Sequence, residues 1–177
     1  MAEQIGVFVV EDHGQFRQYI SKALRNIAEL QVVADVADGM EAVQKARELQ
    51  PELILLDIGL PTLNGIEVAR RIREVSPTTK ILFVSENRSV EIVEAALSTG
   101  AGYVVKSDVG RDLLPGVKAV LAGKRFVSAS LASHLLVATT VGATQSLSWM
   151  LTLISGIRLL VATYGIYSVC YTAISLG

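Results

Sequence analysis

The chain has 177 residues, of which 51% are hydrophobic, and a formal net charge of -1. Near-neutral charge excludes a protein built mainly to grip nucleic acid, and the length fits one ordinary domain plus an extra piece. A single cysteine, Cys170, excludes an internal disulfide and fits a reducing compartment. The N-terminus runs from Met1-Ala2-Glu3-Gln4 into a strand-like run without a basic or long apolar leader. A cytoplasmic chain without a secretory signal is therefore expected.

Ile5–Val10 is the first strand candidate, and Phe16, Ile20, Ala23, Leu24 and Ile27 then recur at helical spacing. Gln31–Val36 is short and β-branched. Ala42, Val43, Ala46 and Leu49 line a second helix, closed off by Pro51. Leu53–Leu56 is an uninterrupted apolar run, as a central strand buried on both faces requires. Pro61 and Asn64-Gly65 mark a loop before the helical stripe Ile66, Ala69, Ile72, Val75. Ile81–Val84 is a strand. Val90, Val93, Ala96 and Leu97 form a helix that Gly100 stops. Tyr103–Val105 is the fifth strand, and Leu113, Val117, Val120 and Leu121 suggest a last helix. Pro115 should make that helix irregular near its beginning. Strict alternation implies an α/β fold: a doubly wound five-stranded parallel sheet with helices on both faces.

Each of four apolar runs stops on chemistry. The first ends on Glu11-Asp12, the third on Asp57, the fourth on Ser85 and the fifth on Lys106. In open parallel sheets, ligands bind outside the carboxyl ends of the strands. Three carboxylates meeting there would repel one another, and a hard divalent cation such as Mg²⁺ (or Mn²⁺) would relieve it. Asp57 is a candidate nucleophile for an acyl phosphate. Lys106 supplies a point charge, and Ser85 a hydroxyl, for a phosphoryl group. One Asp at a strand end is usually a turn or cap residue; the set at the ends of different strands points to phosphoryl chemistry. His13, beside the acidic pair, reads as a first-turn helix residue and not as a metal ligand.

Residues 4–122 resemble the receiver domain of two-component response regulators. The matching pieces are Val9-Val10-Glu11-Asp12, Leu53 to Asp57, Gly59-Leu60-Pro61-Thr62-Leu63-Asn64-Gly65, Phe83-Val84-Ser85 and Gly102 to Lys106. The last piece, with Ala122 to Ser128 after it, is most similar to the NarL/FixJ branch of transcriptional regulators. The resemblance implies a flavodoxin-like sheet of order 2-1-3-4-5. It implies that Asp57 accepts phosphate from a sensor histidine kinase. Asp12, Asp57 and the Gly59 backbone carbonyl would ligate Mg²⁺ directly, with Glu11 acting through water. Ser85 and Lys106 would hold the phosphoryl group, and Tyr103 would be an aromatic switch that turns inward when Ser85 moves. The readout would be a homodimer or protein contact through the face of the fourth helix, fifth strand and fifth helix, or a neighbouring helical face. Gly59 lacks a side chain, which bears on phosphate lifetime, and Asn87 is a polar candidate for the same tuning role.

The expected organisation is a receiver domain at 1–122, a linker at 123–134 and an apolar Ser/Thr-rich tail at 135–177. The tail contains one charged residue, Arg158. DNA binding depends on several Lys and Arg neutralising phosphates, so none is expected from it. Leu159–Gly177 is uncharged over 19 residues, near the ~20 needed to cross a bilayer. A membrane contact, packed helices or an abnormal terminus replacing a DNA-binding domain are the open readings. The chain reads as a phosphorylation-controlled switch and not an enzyme. One alternative is a truncated transcriptional regulator without a working DNA-binding domain. Another is an aspartate-nucleophile phosphatase, which wants a second Asp where Gly59 stands.

Overall fold

A computed structural model describes residues 4–131. The readings made for the tail at 135–177 lie outside the described residues. The strands are β1 (Ile5–Val10), β2 (Leu30–Val36), β3 (Leu53–Leu56), β4 (Lys80–Ser85), β5 (Gly102–Val105) and β6 (Phe126–Val127). The helices are α1 (Gly14–Arg25), α2 (Gly39–Leu49), α3 (Gly65–Val75), α4 (Val90–Thr99) and α5 (Val109–Leu121). All strand pairs are parallel, in the order β2-β1-β3-β4-β5-β6.

The sheet has six strands where five are expected. The sixth, Phe126–Val127, lies inside the segment read as a linker and extends the sheet beyond β5. Two residues are too short to carry a period, so the pattern is silent there. The segment is held by polar groups instead. Ser128 is fully buried. Its N–H donates to the Tyr103 carbonyl, and its hydroxyl oxygen accepts from the Val105 N–H at 3.1 Å. Ser128 and the Ala129 N–H also bond the Asp112 carboxylate on α5. Asp108 bonds Ser130. Residues 129–131 turn helical, and Leu131 is buried.

Alternating side chains give the central strands two buried faces. One face carries Val7, Val9, Leu53, Leu55, Leu82, Val84 and Val104, packed in one cluster with Ile20 and Leu24 of α1 and Leu113, Val117 and Val120 of α5. Phe8, Val10, Ile54, Leu56, Ile81 and Phe83 point the other way and are buried, as are Val68, Ala69 and Ile72 of α3 and Val93 and Ala96 of α4. Each large apolar side chain so buried contributes roughly 1.5–3 kcal/mol relative to exposure.

Local chemistry sets the ends. Asp38, Asn64 and Ser89 cap α2, α3 and α4 by accepting N–H bonds with their side chains. Gln50 ends α2 in the left-handed region, φ 44°. Its carboxamide donates to the Arg47 carbonyl at 3.0 Å and to the Val75 carbonyl at 2.8 Å, which ties α2 to α3. Gly100 ends α4 as expected, but its backbone is extended (φ -111°, ψ 171°) and not left-handed. The reason for glycine is space: a methyl there would sit 2.6 Å from the Phe83 ring. Around Pro115 the expectation also needs correction. The irregularity is a single 3-10 turn at Lys106–Asp108, and α5 then runs continuously through Pro115.

Ser128→Ala should destabilise the protein by about 1–3 kcal/mol, because it leaves the Val105 N–H and Asp112 short of a buried partner. Urea unfolding with an unchanged slope would measure it. The bond from Arg111 holds the Asp112 carboxyl below its ordinary value; burial opposes this, and the Ser128 hydroxyl assists. Because the folded value is the lower one, this contribution is complete above about pH 4 and is lost as pH falls through the folded value.

Candidate functional site

The register of the sheet builds the site. Val10 pairs with Leu56, and the Asp57 N–H donates to the Val10 carbonyl at 2.9 Å. Ser85 pairs with Val105. The residues that follow β1, β3 and β5 therefore emerge side by side, together with the last residue of β4. Glu11, Asp12 and Asp57 each bring a carboxylate oxygen within 4.8 Å of the others. His13 is not in that group: it is the N-cap of α1, its Nδ1 accepting the Phe16 N–H at 3.4 Å.

Lys106 reaches across the sheet edge to this acidic group. Its Nζ lies 2.8 Å from Asp57 Oδ2, 2.9 Å from Glu11 Oε1 and 2.8 Å from Glu11 Oε2. The Glu11 side chain is 1% exposed, Asp57 5% and Lys106 14%. Burial acts to lower the Lys106 pKa, but the bonds to Asp57 and Glu11 outweigh it and hold the ammonium above its ordinary value. Burial pushes the Glu11 carboxyl up; the Lys106 bond opposes this and the Asp57 charge adds to it. Glu11 Oε1 also accepts the His13 N–H at 3.1 Å, whereas Oε2 touches Nζ off the line of a hydrogen bond and has no other donor among the described residues.

One ammonium among three carboxylates leaves negative charge uncompensated. The donor set is all oxygen, which fits a hard divalent cation such as Mg²⁺. Gly59 lines the same cleft as Asp12, Asp57, Ser85 and Lys106, and a methyl at its Cα would lie 3.5 Å from Asp57 Oδ2. The bare backbone there keeps the approach to Asp57 open.

Ser85 is buried, its Oγ accepting the Asn87 N–H at 3.3 Å. Tyr103 is fully buried, so its ring already points inward, and its hydroxyl donates to the Asn87 carbonyl at 2.7 Å. Burial pushes the Tyr103 phenol up, with a Ser85 bond opposing. The Asn87 side-chain oxygen accepts the Ser89 N–H at 2.9 Å, which turns the chain into α4. The sequence-derived site residues thus converge on one cleft edge, with Tyr103 behind it.

Sequence reasoning missed three supports. Arg17 donates to the Glu11 carbonyl at 2.6 Å and pairs with Asp35 at 3.1 Å, which fixes the acidic loop. The Phe16 ring lies over Lys106. Gly65 packs beneath Asp57: its N–H donates to the Ile58 carbonyl, and a methyl there would collide with the Asp57 carbonyl oxygen. Asn64-Gly65 was visible as a turn signal; the collision was not. Gly65→Ala should therefore cost about 1–3 kcal/mol by overpacking and shift Asp57, which a thermal melt and the backbone amide spectrum of Asp57 would register.

Residues 7–116 match the family of the response regulator receiver domain. The chain is 33% identical over 132 residues to the response regulator GacA of Pseudomonas viridiflava, a match that covers 74% of this chain and 62% of that protein. It is 31% identical over 130 residues to the nitrate/nitrite response regulator protein NarL of Escherichia coli (strain K12), covering 73% of this chain and 60% of NarL. The match thus spans less than two thirds of the length of these relatives. A two-component response regulator of the LuxR family from Aurantimonas sp. SI85-9A1 has a crystal structure similar at TM-score 0.74 and 28% identity, covering 78% of this chain and 99% of that one. With the fold, the acidic group and the strand-end lysine all in place, this chain belongs to the response regulator receiver domain family of two-component systems.

Proposed function

We propose that Asp57 is the phosphoacceptor of a two-component phosphorelay, loaded from a phosphohistidine on a sensor histidine kinase. The observation that carries this reading is the Lys106 ammonium, 2.8 Å from Asp57 Oδ2 beside two further carboxylates. An oxygen of Asp57 attacks phosphorus, the P–N bond breaks, and its electron pair returns to the imidazole. Lys106 then pairs with the new phosphoryl oxygens, and the Ser85 hydroxyl donates to another. A bound Mg²⁺ or Mn²⁺ supplies neutralising charge for the carboxylates and the phosphoryl group. Asp12, Asp57 and the Gly59 backbone carbonyl are its direct ligands in this reading. Glu11, whose carboxylate is engaged by Lys106, acts through water.

The chain works as a switch and not as a turnover enzyme, since Asp57 itself carries the product. An aspartate-nucleophile phosphatase would need a second acid where Gly59 stands. Tyr103 and Ser85 couple the phosphoryl group to the backbone of Asn87, at the entry to α4. The output is a protein contact or homodimer through α4, β5 and α5, or a neighbouring helical face. Residues 135–177 carry only Arg158 for phosphate contacts, so no DNA contact is assigned to them. Among the described residues no helix is long and apolar enough to cross a membrane. The reading is of a cytoplasmic protein.

With acetyl phosphate and Mg²⁺, intact-mass spectrometry should find one phosphoryl group on the wild-type chain and none on Asp57→Asn. Saturating Mg²⁺ should raise the melting temperature of the wild type by several degrees, and Asp12→Asn should abolish both that rise and the adduct. An equal adduct on Asp57→Asn would sink the assignment.

A further inference from the structure

Lys106 has carboxylates on one side and an aromatic ring on the other. Its Nζ lies 5.0 Å from the centroid of the Phe16 ring, within the ~6 Å range at which a ring face attracts a cation. The ring is held in place twice. The His13 cap bonds the Phe16 N–H, which fixes its backbone at the start of α1. One turn on, Tyr19 stacks on it, with ring centroids 6.3 Å apart and planes 18° from parallel. The two rings face the cleft that Lys106, Arg88 and Ser107 also line, and Arg88 donates to the Ser107 hydroxyl at 2.8 Å on the far wall.

The contact bears on chemistry because of what Lys106 must do. Before transfer its donors are directed at Asp57 and Glu11. During transfer, negative charge builds on phosphoryl oxygens outside Asp57, and the ammonium must turn toward them. Hydrogen bonds to the carboxylates are directional and loosen as it turns. Attraction to a ring face is broad in angle and persists through a small displacement. An aliphatic side chain of similar size would pack equally well against the apolar cluster that Phe16 adjoins, yet would offer the ammonium nothing.

We infer that Phe16 is a positioning residue for the phosphorylation of Asp57, its ring face holding the Lys106 ammonium ready to pass from carboxylate to phosphoryl oxygen. The inference rests on the phosphoacceptor reading. A cation–ring contact corresponds to roughly a 2- to 30-fold effect on rate between its exposed and desolvated limits.

The test uses the full chain in a series at position 16: Phe16→Leu, Phe16→Tyr, Phe16→Trp, and phenylalanine with progressively more ring fluorines. Fluorine weakens the negative face of the ring at nearly constant shape. Without metal or phosphodonor, the Lys106 ε-methylene protons should be shifted upfield by the ring in the wild type, Tyr and Trp forms, and should return to an ordinary position in Phe16→Leu. With Mg²⁺ and acetyl phosphate, the rate of Asp57 phosphorylation at saturating donor should fall in step with fluorine number and be lowest in Phe16→Leu. Phe16→Tyr and Phe16→Trp should retain it, and the half-saturating donor concentration should stay the same across the series. Loss in Phe16→Leu without grading among the fluorinated rings would mean that Phe16 only packs. A flat series, or ε-methylene protons unshifted in the wild type, likewise overturns the inference alone. A wild-type chain that takes up no phosphoryl group overturns it together with the phosphoacceptor reading.

Discussion

The site depends on one buried ion cluster. Lys106, at the end of β5, bonds Asp57 at the end of β3 and Glu11 at the end of β1. An unpaired charge in such a place costs several kcal/mol, and truncating one member of a buried pair typically costs 3–5 kcal/mol. The cluster is therefore no free source of stability. Its carboxylates exceed its cations, and that imbalance leaves a demand for a further positive charge. A divalent cation would meet this demand, and a phosphoryl group on Asp57, itself an anion, would add to it while offering Lys106 a new partner.

The sheet makes this cluster possible. The pairing of Val10 with Leu56 puts Glu11 and Asp57 at the same level of neighbouring strands; through the pairs Leu56–Phe83 and Val84–Val104 that level meets β5 at Val104, so Lys106 stands two residues beyond it on the same face and reaches back. Apolar side chains on both faces of β1, β3 and β4 keep that level rigid. A slip of one residue would reverse every side chain between faces, so burial fixes the register and the register fixes the charges. The loops add finer control. Arg17 grips the carbonyl of Glu11, and Gly65 lets α3 begin directly under Asp57.

Much of this was legible in the sequence, for definite reasons. Uninterrupted runs such as Leu53–Leu56, alternating with helical stretches, are as expected of central strands of a parallel sheet, and their final residues then mark the ligand edge. Glu11, Asp12, Asp57, Ser85 and Lys106 were located in that way before any geometry was known. What stayed hidden depends on contacts between distant residues. The sixth strand has two residues, and Ser128 and Asp112 hold its end although sixteen positions separate them. Nothing in the spacing of Phe16 and Lys106 announces that a ring faces an ammonium. Gly100 was read as a stop and is one, but the Phe83 ring that excludes a side chain there lies on another element. Pattern finds residues that share an element, whereas packing across elements decides the rest.

The hidden part bears most directly on output. β5 carries Lys106 at its end, Tyr103 inside it and, through the Val105 N–H, the hydroxyl of Ser128. The Tyr103 carbonyl accepts the Ser128 N–H, and the Tyr103 hydroxyl bonds Asn87 at the entry to α4. Lys106 is thus joined through β5 to two places away from the acidic cluster. One is the start of α4. The other is residues 128–131, which are pinned to α5 by Asp112 and to the turn before it by Asp108. The segment read as a linker begins as part of the sheet edge. Built into the sheet edge, with its first serine buried and bonded to β5, it is continuous with the strand that carries Tyr103 and leads to Lys106.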